Sequence, residues 1–551
     1  MRPHLRPGIR WGDYSIQHFQ RDLGAGVIVG LVALPLAMAF AIASGASPES
    51  GLYTAIVAGI LISLLGGSRL QIGGPTGAFV PLLLGIVTVY GFENLLVAGF
   101  LAGCFLVLMG LLRLGSLIDY VPRPVVIGFT AGIAVIIFTG QIANFFGLTG
   151  VESHPEFLAN IAEIVRHFST VNPYAVVTAL VCLAVLILMG KRLRKIPSPL
   201  VGLVLSSAVA YIFFPGKVET IGTAYGTLAA SLPAPKLPEL SWETLRMMWV
   251  PALMIAALGG IESLLSATVA DNMTGDRHRS NRELIGQGIA NIAAPLFGGI
   301  PATGAIARTA TNIKSGAASR LAGVIHGLVV LLILLLLAPL ASHIPLASLA
   351  PILMVVAWNM SERHRFIYML KWKSGESVVL VVTFLATVCV DLTTGVGVGM
   401  ALSFVHFIYK MSRLNFSAHP ASDLRRNSIL LFQMKGVLFF GAARRMEREM
   451  AAALAGKPKY VMFDMNKVLY MDTTGVAYLS EVFLSILRYG GEVFVIGAQS
   501  QPLETMIKSG IIVRENVHFC YDVTDALKRA ANGPSARQKK GNVVEMRTAS
   551  L

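Results

Sequence analysis

Residues 73–79, with the sequence GGPTGAF, interrupt an otherwise apolar stretch of the chain. A proline and three glycines break a continuous helix here, and hydrocarbon tolerates such a break only where protein buries it or it lines a cavity. Pro75 suits the first turn of a new helix, which would begin partway across the membrane with free N–H groups at its positive end. For this segment alone, an ordinary kinked span is the alternative.

A second copy of the pattern lies at residues 298–312, GGIPATGAIARTATN. Both copies contain Gly-Gly, then Pro, then Thr-Gly-Ala followed by an apolar residue. Two interrupted hydrophobic segments at corresponding positions of two halves indicate the binding site of a secondary transporter. The repetition therefore favours two half-helices over two kinked spans.

The composition is that of a membrane protein, since 54% of the 551 residues are hydrophobic and 14% are charged. The formal net charge of +15 does not indicate a nucleic-acid partner, because the basic residues lie in alternate loops between apolar runs. That alternation predicts a multi-pass protein of the cytoplasmic (inner) membrane with both termini in the cytoplasm. The four cysteines have no pairing or metal spacing, and no metal or cofactor motif is present.

Apolar runs of spanning length predict about fourteen membrane segments. They lie at residues 22–43, 51–66, 75–89, 94–112, 122–141, 173–190, 198–214, 247–270, 284–297, 302–315, 321–340, 345–359, 376–391 and 395–411. An extracytoplasmic loop at 215–246 separates a first repeat, 22–214, from a second, 247–412, and residues 1–21 form the cytoplasmic N-terminus. Seven segments per half make the second half enter from the opposite side, which predicts a polytopic α-helical fold with a 7+7 inverted repeat.

The last part of the chain is charged and mixed, as in a soluble domain. Strand patterns alternate with helix patterns over residues 427–531, which predicts a cytoplasmic α/β domain. Residues 532–551 are polar and predicted to be disordered.

The two half-helices predict an anion site in which their N-termini face each other near the membrane midplane. Threonine hydroxyl groups would add further hydrogen-bond donors. Phe40, in the first segment beside the Pro35 kink, is a candidate to line the site. The backbone and hydroxyl donors are expected from Thr76, Gly77, Ala78, Phe79, Thr303, Gly304, Ala305, Ile306 and Ala307.

Two charged residues lie within these apolar segments. Arg308, predicted one and a half turns into the second half-helix, is expected to attract the anion, because an arginine inside a span is costly and by default functional. Its alternative is a structural ion pair with Glu262. Glu262 is a candidate to take up a coupled proton, because apolar surroundings favour the neutral form of a carboxyl group.

Seven stretches resemble the SulP anion transporters (sulfate-permease type) with a C-terminal STAS domain. They are DLGAGVIVGLVALPLAMAFAIASG, ESGLYTAIVAGI, GGSRLQIGGPTGAF, AALGGIESLLSATVADNMTG, NRELIGQGIANIAAPLFGGIPATGAIARTATN, VAWNMSE and VLYMDTTGVAYL. The segments PLAMAFAI, GGIESLL and AIARTATN are most similar to the bacterial C4-dicarboxylate branch. The resemblance implies core and gate domains, elevator-like alternating access and a homodimer.

The resemblance also implies roles for single residues. Pro35-Leu36 stands where many members have Pro-Gln, so one polar anion contact is missing. Sodium-coupled members carry an Asp followed four residues later by Thr where this chain has Glu262 and Ser266, so the resemblance makes these two residues the candidate site of the coupling ion, with a proton preferred and sodium as the alternative. In MDTTG, Thr473 matches the phosphoacceptor of soluble STAS proteins, with helix capping as the alternative role.

These observations predict a secondary active transporter that takes up a dicarboxylate or related small anion with protons, sulfate being another possible substrate. It would be neither an enzyme nor dependent on a cofactor. Sodium-coupled bicarbonate transport is one alternative, and a STAS-based membrane regulator with vestigial transport is another. The expected partners are the anion, H⁺ or Na⁺, the lipid bilayer, a second copy of the chain and a cytoplasmic protein bound by the STAS domain.

Overall fold

The computed structural model describes residues 14–116, 121–152, 154, 156–192, 197–411, 415–420, 429–441, 450–511 and 516–532. The chain divides into two compact units, Met1–Ala401 and Leu402–Leu551. Most of the predicted N-terminal segment 1–21 and nearly all of the predicted disordered tail 532–551 lie outside the described residues.

The helices of the first half follow the predicted segments. They are α1 (Ile16–Ala43), α2 (Pro48–Leu65), α3 (Val80–Tyr90), α4 (Phe92–Leu111), α5 (Arg123–Gly140), α6 (Ile142–Phe146), α7 (Phe157–Arg166), α8 (Pro173–Arg192) and α9 (Ser198–Phe213). The short α6 and α7 lie in the long loop before α8. α1 begins at a capping box, in which the Ser15 hydroxyl accepts the His18 N–H, and it continues through Pro35.

The second half repeats the order. It contains α10 (Ile221–Tyr225), α11 (Trp242–Thr274), α12 (Ser280–Leu296), α13 (Ile306–Lys314), α14 (Leu321–Ala341), α15 (Leu346–Met360), α16 (Arg363–Lys371), α17 (Gly375–Cys389) and α18 (Leu392–Met411). Seven of the described helical segments are long and apolar enough to cross a bilayer, judged by length and composition. Several of the other predicted membrane segments are shorter helices, among them α3 and α13, the third members of the two halves.

The two halves interlock within the first unit. α12 packs along α4, and α14 packs along α1 and α2. Gly103 of α4 and Gly288 of α12 allow a close crossing, because a Cβ atom at either would lie 2.6 Å from the carbonyl oxygen of the other. α3 and α11 also pack on α4, and α13 packs on α1 and α11, whereas α5 packs along α17 and α15, and α8 along α9 and α15. We call the first group, which includes both half-helices, the core domain and the second group the gate domain of the 7+7 fold.

The breaks between helices contain a feature that the sequence did not predict. Residues Gly73–Gly74 form strand β1 and Thr303–Gly304 form strand β2, and the two strands pair antiparallel. The helix after β1 therefore begins at Gly77 with a 3₁₀ turn, and α13 begins at Ile306. The predicted starts at residues 75 and 302 are too early, because the strand pair occupies the residues that precede each helix.

The second unit contains a five-stranded sheet with the order β3 (Asn415–Pro420), β4 (Ile429–Leu438), β5 (Tyr460–Met471), β6 (Glu492–Ile496) and β7 (Val517–Cys520). β3 is antiparallel to β4, and the remaining neighbours are parallel. The sheet thus begins ahead of residue 427, the domain boundary expected from the sequence.

Helices cover both faces of this sheet. α19 (Thr473–Arg488) and α20 (Ser500–Lys508) bury Phe483 and Met506 on one face. α21 (Val523–Asn532) buries Ala526 and Ala530 on the other face, near Cys520. Burial raises the pKa of the Cys520 thiol to about 12, as fits a small apolar core residue.

Candidate functional site

The strand pair brings the two interrupted segments together. Gly73 pairs with Gly304 and Gly74 with Thr303, although about 230 residues separate the partners in the chain. Gly74 has φ of +143°, and a Cβ atom there would lie 2.7 Å from Nη1 of Arg308. Only glycine meets both requirements, since other residues rarely adopt this backbone conformation.

One carboxylate oxygen lies between the two halves. Oε2 of Glu262 accepts hydrogen bonds from the hydroxyl groups of Thr76 and Thr303, each at 2.9 Å. The two hydroxyl oxygens are 3.1 Å apart. Glu262 is half-buried on α11, whereas both threonines are buried. The structure thus joins the coupling-ion candidate directly to the anion-site candidates.

Arg308 is the third residue of α13, so it lies in the first turn of the helix rather than one and a half turns into it. Its side chain is 2% exposed, and Nη2 donates to the carbonyl oxygen of Pro75. Nη1 is buried without a hydrogen-bond partner in the described part of the chain. Within the described residues no ion pair within 4.0 Å joins Arg308 to Glu262, so the direct pair considered from the sequence is absent there.

Several of the expected backbone donors are already used. The Phe79 N–H donates to the carbonyl oxygen of Thr76 at 3.3 Å, and the Ala305 N–H donates to that of Ile72 at 2.8 Å. The Gly304 N–H donates to Oγ of Ser263 at 3.0 Å. Contrary to the prediction, the N–H groups of Phe79, Gly304 and Ala305 are therefore not available to an anion.

The N–H groups at the two helix starts remain as the backbone donors that the site can offer. Those of Gly77, Ala78, Ile306 and Ala307 have no acceptor within their own helices, as expected for a first turn. They and the two threonine hydroxyls are donors from both halves of the repeat.

Aromatic side chains lie beside the first half-helix. A Cβ atom at Gly77 would lie 3.2 Å from Cε1 of Phe40 and 3.3 Å from Cδ1 of Ile137. The ring of Phe79 is buried against Gly259 of α11. Phe40 therefore lies next to the donors at the start of the 3₁₀ turn, a position that is compatible with the prediction that it lines the anion site.

Ser266 lies one turn along α11 from Glu262 and is fully buried. Its hydroxyl lies 3.3 Å from that of Thr309. The hydroxyl partners of the Glu262 carboxylate are Thr76 and Thr303, neither of which the sequence analysis had paired with it.

Polar residues missed by the sequence analysis hold the strand pair in place. The side-chain amide of Asn291 donates to the carbonyl oxygen of Ala302 and accepts a hydrogen bond from the Ala302 N–H, both at 2.8 Å. Asn312 Nδ2 donates to the carbonyl oxygen of Leu70 at 2.9 Å, and Gln71 Nε2 to that of Ser263 at 3.1 Å. An amide side chain within a predicted membrane segment was the available signal for Asn291 and Asn312.

In the second unit, Thr473 is the exposed first residue of α19. Asp472 caps this helix, since its carboxylate accepts the N–H groups of Gly475 at 2.7 Å and Phe440 at 3.2 Å. Asp472 thus fulfils the capping role, and the Thr473 hydroxyl is accessible at a helix N-terminus.

The sulfate permease family matches residues 19–383, and the STAS domain matches residues 422–526. The chain belongs to the sulfate permease family. It is therefore a membrane transporter of an anion-transporting family with a C-terminal STAS domain. The family and the relatives named below are transporters, which supports a protein that is not an enzyme.

Relatives cover nearly the whole chain. It is 53% identical to YvdB of Bacillus subtilis, named as a candidate sulfate transporter, over 94% of this chain and 99% of the relative. It is 30% identical to the bicarbonate transporter BicA of a Picosynechococcus species, over 94% and 96%.

Solved structures share the fold. The transmembrane domain of a cyanobacterial BicA is 32% identical, with a TM-score of 0.62, and covers 70% of this chain and 99% of its own. The murine anion transporter Slc26a9, solved in the inward-facing state, is 20% identical, with a TM-score of 0.85 over 95% and 93%.

Proposed function

We propose that this family member is a secondary active transporter that takes up a small anion together with a proton. The core domain, which carries both half-helices, would move the site relative to the gate domain in an elevator-like cycle. Support comes from family membership and from donors that both halves of the repeat contribute to one place.

One observation carries the proposal: hydroxyl groups from both halves donate to the Glu262 carboxylate, while Nη1 of buried Arg308 has no hydrogen-bond partner among the residues that the structure describes. An ionised carboxylate in this position occupies donors that an anion needs. Protonation turns the carboxyl group into a donor and frees the threonine hydroxyls for the anion. Proton uptake and anion binding would thus depend on the same two hydroxyl groups.

The side-chain charges favour the same coupling. In the empty site, ionised Glu262 and charged Arg308 sum to zero, so the empty core can return without a bound ion. In the loaded site, protonated Glu262 leaves Arg308 to balance one negative charge on the anion. Both crossings then avoid moving a net charge through a medium of low dielectric constant, which would be costly.

We propose a dicarboxylate as the substrate class, carried as a species with one negative charge, with sulfate as the next candidate. Leu36 stands where many members of the family carry a glutamine, and the apolar ring of Phe40 lies beside Gly77. These features suit an anion with an apolar part. Sulfate is the next candidate because of the 53% identical relative.

Sodium-coupled bicarbonate uptake is the second candidate, and similarity to BicA is what favours it. In this case Glu262 and Ser266 would bind sodium. Ser266 instead has its hydroxyl near Thr309, which ranks this candidate second.

Further parts of the proposal concern the assembled protein. We propose that the chain forms a homodimer, that both termini lie in the cytoplasm, and that the STAS domain binds a cytoplasmic protein. Thr473 is the proposed phosphoacceptor, since a phosphate at a helix N-terminus is stabilised by the helix dipole.

Uptake by the purified protein in proteoliposomes tests the proposed function. Labelled succinate, sulfate and bicarbonate would each be offered with an outside-acid gradient, a sodium gradient, both or neither. We expect the outside-acid gradient alone to drive uptake, with succinate preferred. Uptake that requires sodium and ignores pH would favour the second candidate, and no uptake of any anion would favour a STAS-based regulator with vestigial transport.

A further inference from the structure

A cavity of about 500 Å³ opens in the first unit where α2 and α11 end and α12 and α14 begin. Five arginines line it, and we call it the arginine pocket: Arg69, Arg277, Arg279, Arg282 and Arg320. Its volume is in the range of small-molecule sites. The charge distribution of the loops predicts that it faces the cytoplasm.

Few acidic groups offset these arginines. Of the two carboxylates in the lining, Asp276 pairs with Arg69 at 3.2 Å and Asp271 lies 2.7 Å from Nδ1 of His278. Two further carboxylates lie behind the lining: Glu283 accepts the Gly67 N–H at 2.7 Å, and Asp22 accepts backbone N–H groups of the α13–α14 link. Even with these counted, the pocket keeps an excess of positive charge.

Three of the arginines are held in place by backbone carbonyl groups. Nη1 of Arg320 donates to Leu64 at 2.8 Å, Nε of Arg282 to Leu65 at 3.2 Å and Nη2 of Arg69 to Ala318 at 3.1 Å. Burial, and after it the neighbouring Arg282 guanidinium, lower the pKa of Arg320 below its ordinary value. Hydrogen bonds to the backbone therefore hold several positively charged guanidinium groups close together in the pocket.

The remaining two arginines have unused donors. Arg277 and Arg279 are exposed, and neither guanidinium has a hydrogen bond or ion pair with another described residue. Each presents a planar fork that matches two oxygens of a phosphate group. Crowded guanidinium groups without enough carboxylates are stabilised by a multiply charged anion.

We infer that the arginine pocket binds a phosphate-bearing anion, at a site separate from the transport site. A phosphate monoester carries between one and a half and two negative charges near pH 7 and has three acceptor oxygens, whereas a carboxylate has two, so it can serve the planar forks of both Arg277 and Arg279. The apolar side chains of Leu64, Leu321 and Val324 complete the lining. The phosphate could belong to an acidic lipid headgroup or to a soluble compound.

The position of the pocket gives binding a structural consequence. Residues 67–70 lead directly into β1, and Arg320 lies in the link between α13 and α14. A ligand that contacts both would connect the residues that flank the two half-helices. It should therefore stabilise the core domain, so the melting temperature is a direct readout.

The test uses the full-length protein in phosphatidylcholine nanodiscs and measures its melting temperature with two probes. One arm adds inorganic pyrophosphate, and the other replaces part of the lipid by phosphatidic acid. We expect a rise in at least one arm, and the arm that responds identifies the source of the phosphate. No rise in either arm would overturn the inference.

Three double variants test whether the probe binds in the arginine pocket. Arg277→Gln/Arg279→Gln should weaken the effective probe about tenfold or more, since hydrogen bonds to charged groups are lost, while the melting temperature without probe stays unchanged. Arg277→Lys/Arg279→Lys should weaken it less, because the charge remains but the fork is lost. Arg113→Gln/Arg123→Gln, two exposed arginines outside the pocket with the same charge change, should bind as the parent does.

An equal rise in the Arg277→Gln/Arg279→Gln variant and the parent would overturn the inference. A different role for the pocket, attracting the transported anion, makes its own prediction. That role would raise the KM of anion uptake in the Gln double variant without either phosphate probe present. Such a KM change together with no loss of probe binding would also contradict the proposed site.

Discussion

At the scale of residues, the proposed coupling depends on the two threonines that contact Glu262. Each comes from a different half of the repeat, and each donates to the same carboxylate oxygen. Neither has another acceptor of comparable charge among the described residues. Loss of either hydroxyl should therefore affect binding of the anion more than folding.

We predict that Thr303→Val inserts and folds like the parent but lowers anion uptake about tenfold or more. Valine preserves the side-chain shape and removes one hydrogen bond to a charged group. Thr268→Val is the matched control, because its hydroxyl donates only to Leu264 in its own helix. Initial uptake rates normalised to reconstituted protein measure the effect, and equal rates for both variants would count against the threonine pair.

At the scale of elements, close helix crossings hold the core domain together. Gly288→Ala should destabilise the protein by about 1–3 kcal/mol, because the new Cβ would lie 2.6 Å from both the Gly103 carbonyl oxygen and the Val107 N. Gly85→Ala in α3 is the control, since nothing lies within 4 Å of its Cβ position. The measurement is the melting temperature, which should fall only for Gly288→Ala; equal melting temperatures would show that the crossing can relax.

The same scale shows what the sequence could and could not predict. Hydrophobic runs and the duplicated pattern of Gly-Gly, Pro and Thr-Gly-Ala predicted the helices and the two interrupted segments, because length and proline chemistry are local signals. The β1–β2 pair was not predictable in this way, since two-residue strands have no periodicity and the partners are distant in sequence. That pair is the reason that α13 starts later than expected. The N–H groups beside it are used by long-range partners, Ser263 for Gly304 and Ile72 for Ala305, which the sequence could not indicate.

At the scale of single site residues, the cost of a charge inside an apolar segment drew attention to Glu262 and Arg308, and the structure places both side chains beside the half-helices. Their partners depended on tertiary structure. The sequence suggested an ion pair between them, whereas the described contacts are hydroxyl groups for Glu262 and a backbone carbonyl for Arg308.

At the scale of the whole molecule, the membrane segments and the STAS domain should be separable in function. A chain that ends at residue 411 keeps all fourteen predicted segments and every candidate residue of the anion site. It ends before β3, because β3 would have no partner strand once β4 is removed. We predict a lower uptake rate or weaker assembly with an unchanged order of preference among succinate, sulfate and bicarbonate. A changed order would mean that the second unit shapes the anion site.

The central claim is that Glu262 couples the proton to the anion, and the Glu262→Gln variant tests it most directly. Glutamine keeps the size of the side chain and fixes a neutral form, so the empty site can no longer release a proton. In sodium-free proteoliposomes we expect an outside-acid gradient to drive uptake by the parent and not by Glu262→Gln, while exchange of anion for anion persists in the variant. Uptake by the parent that follows sodium and ignores pH, or pH-driven uptake retained by Glu262→Gln, would contradict the account.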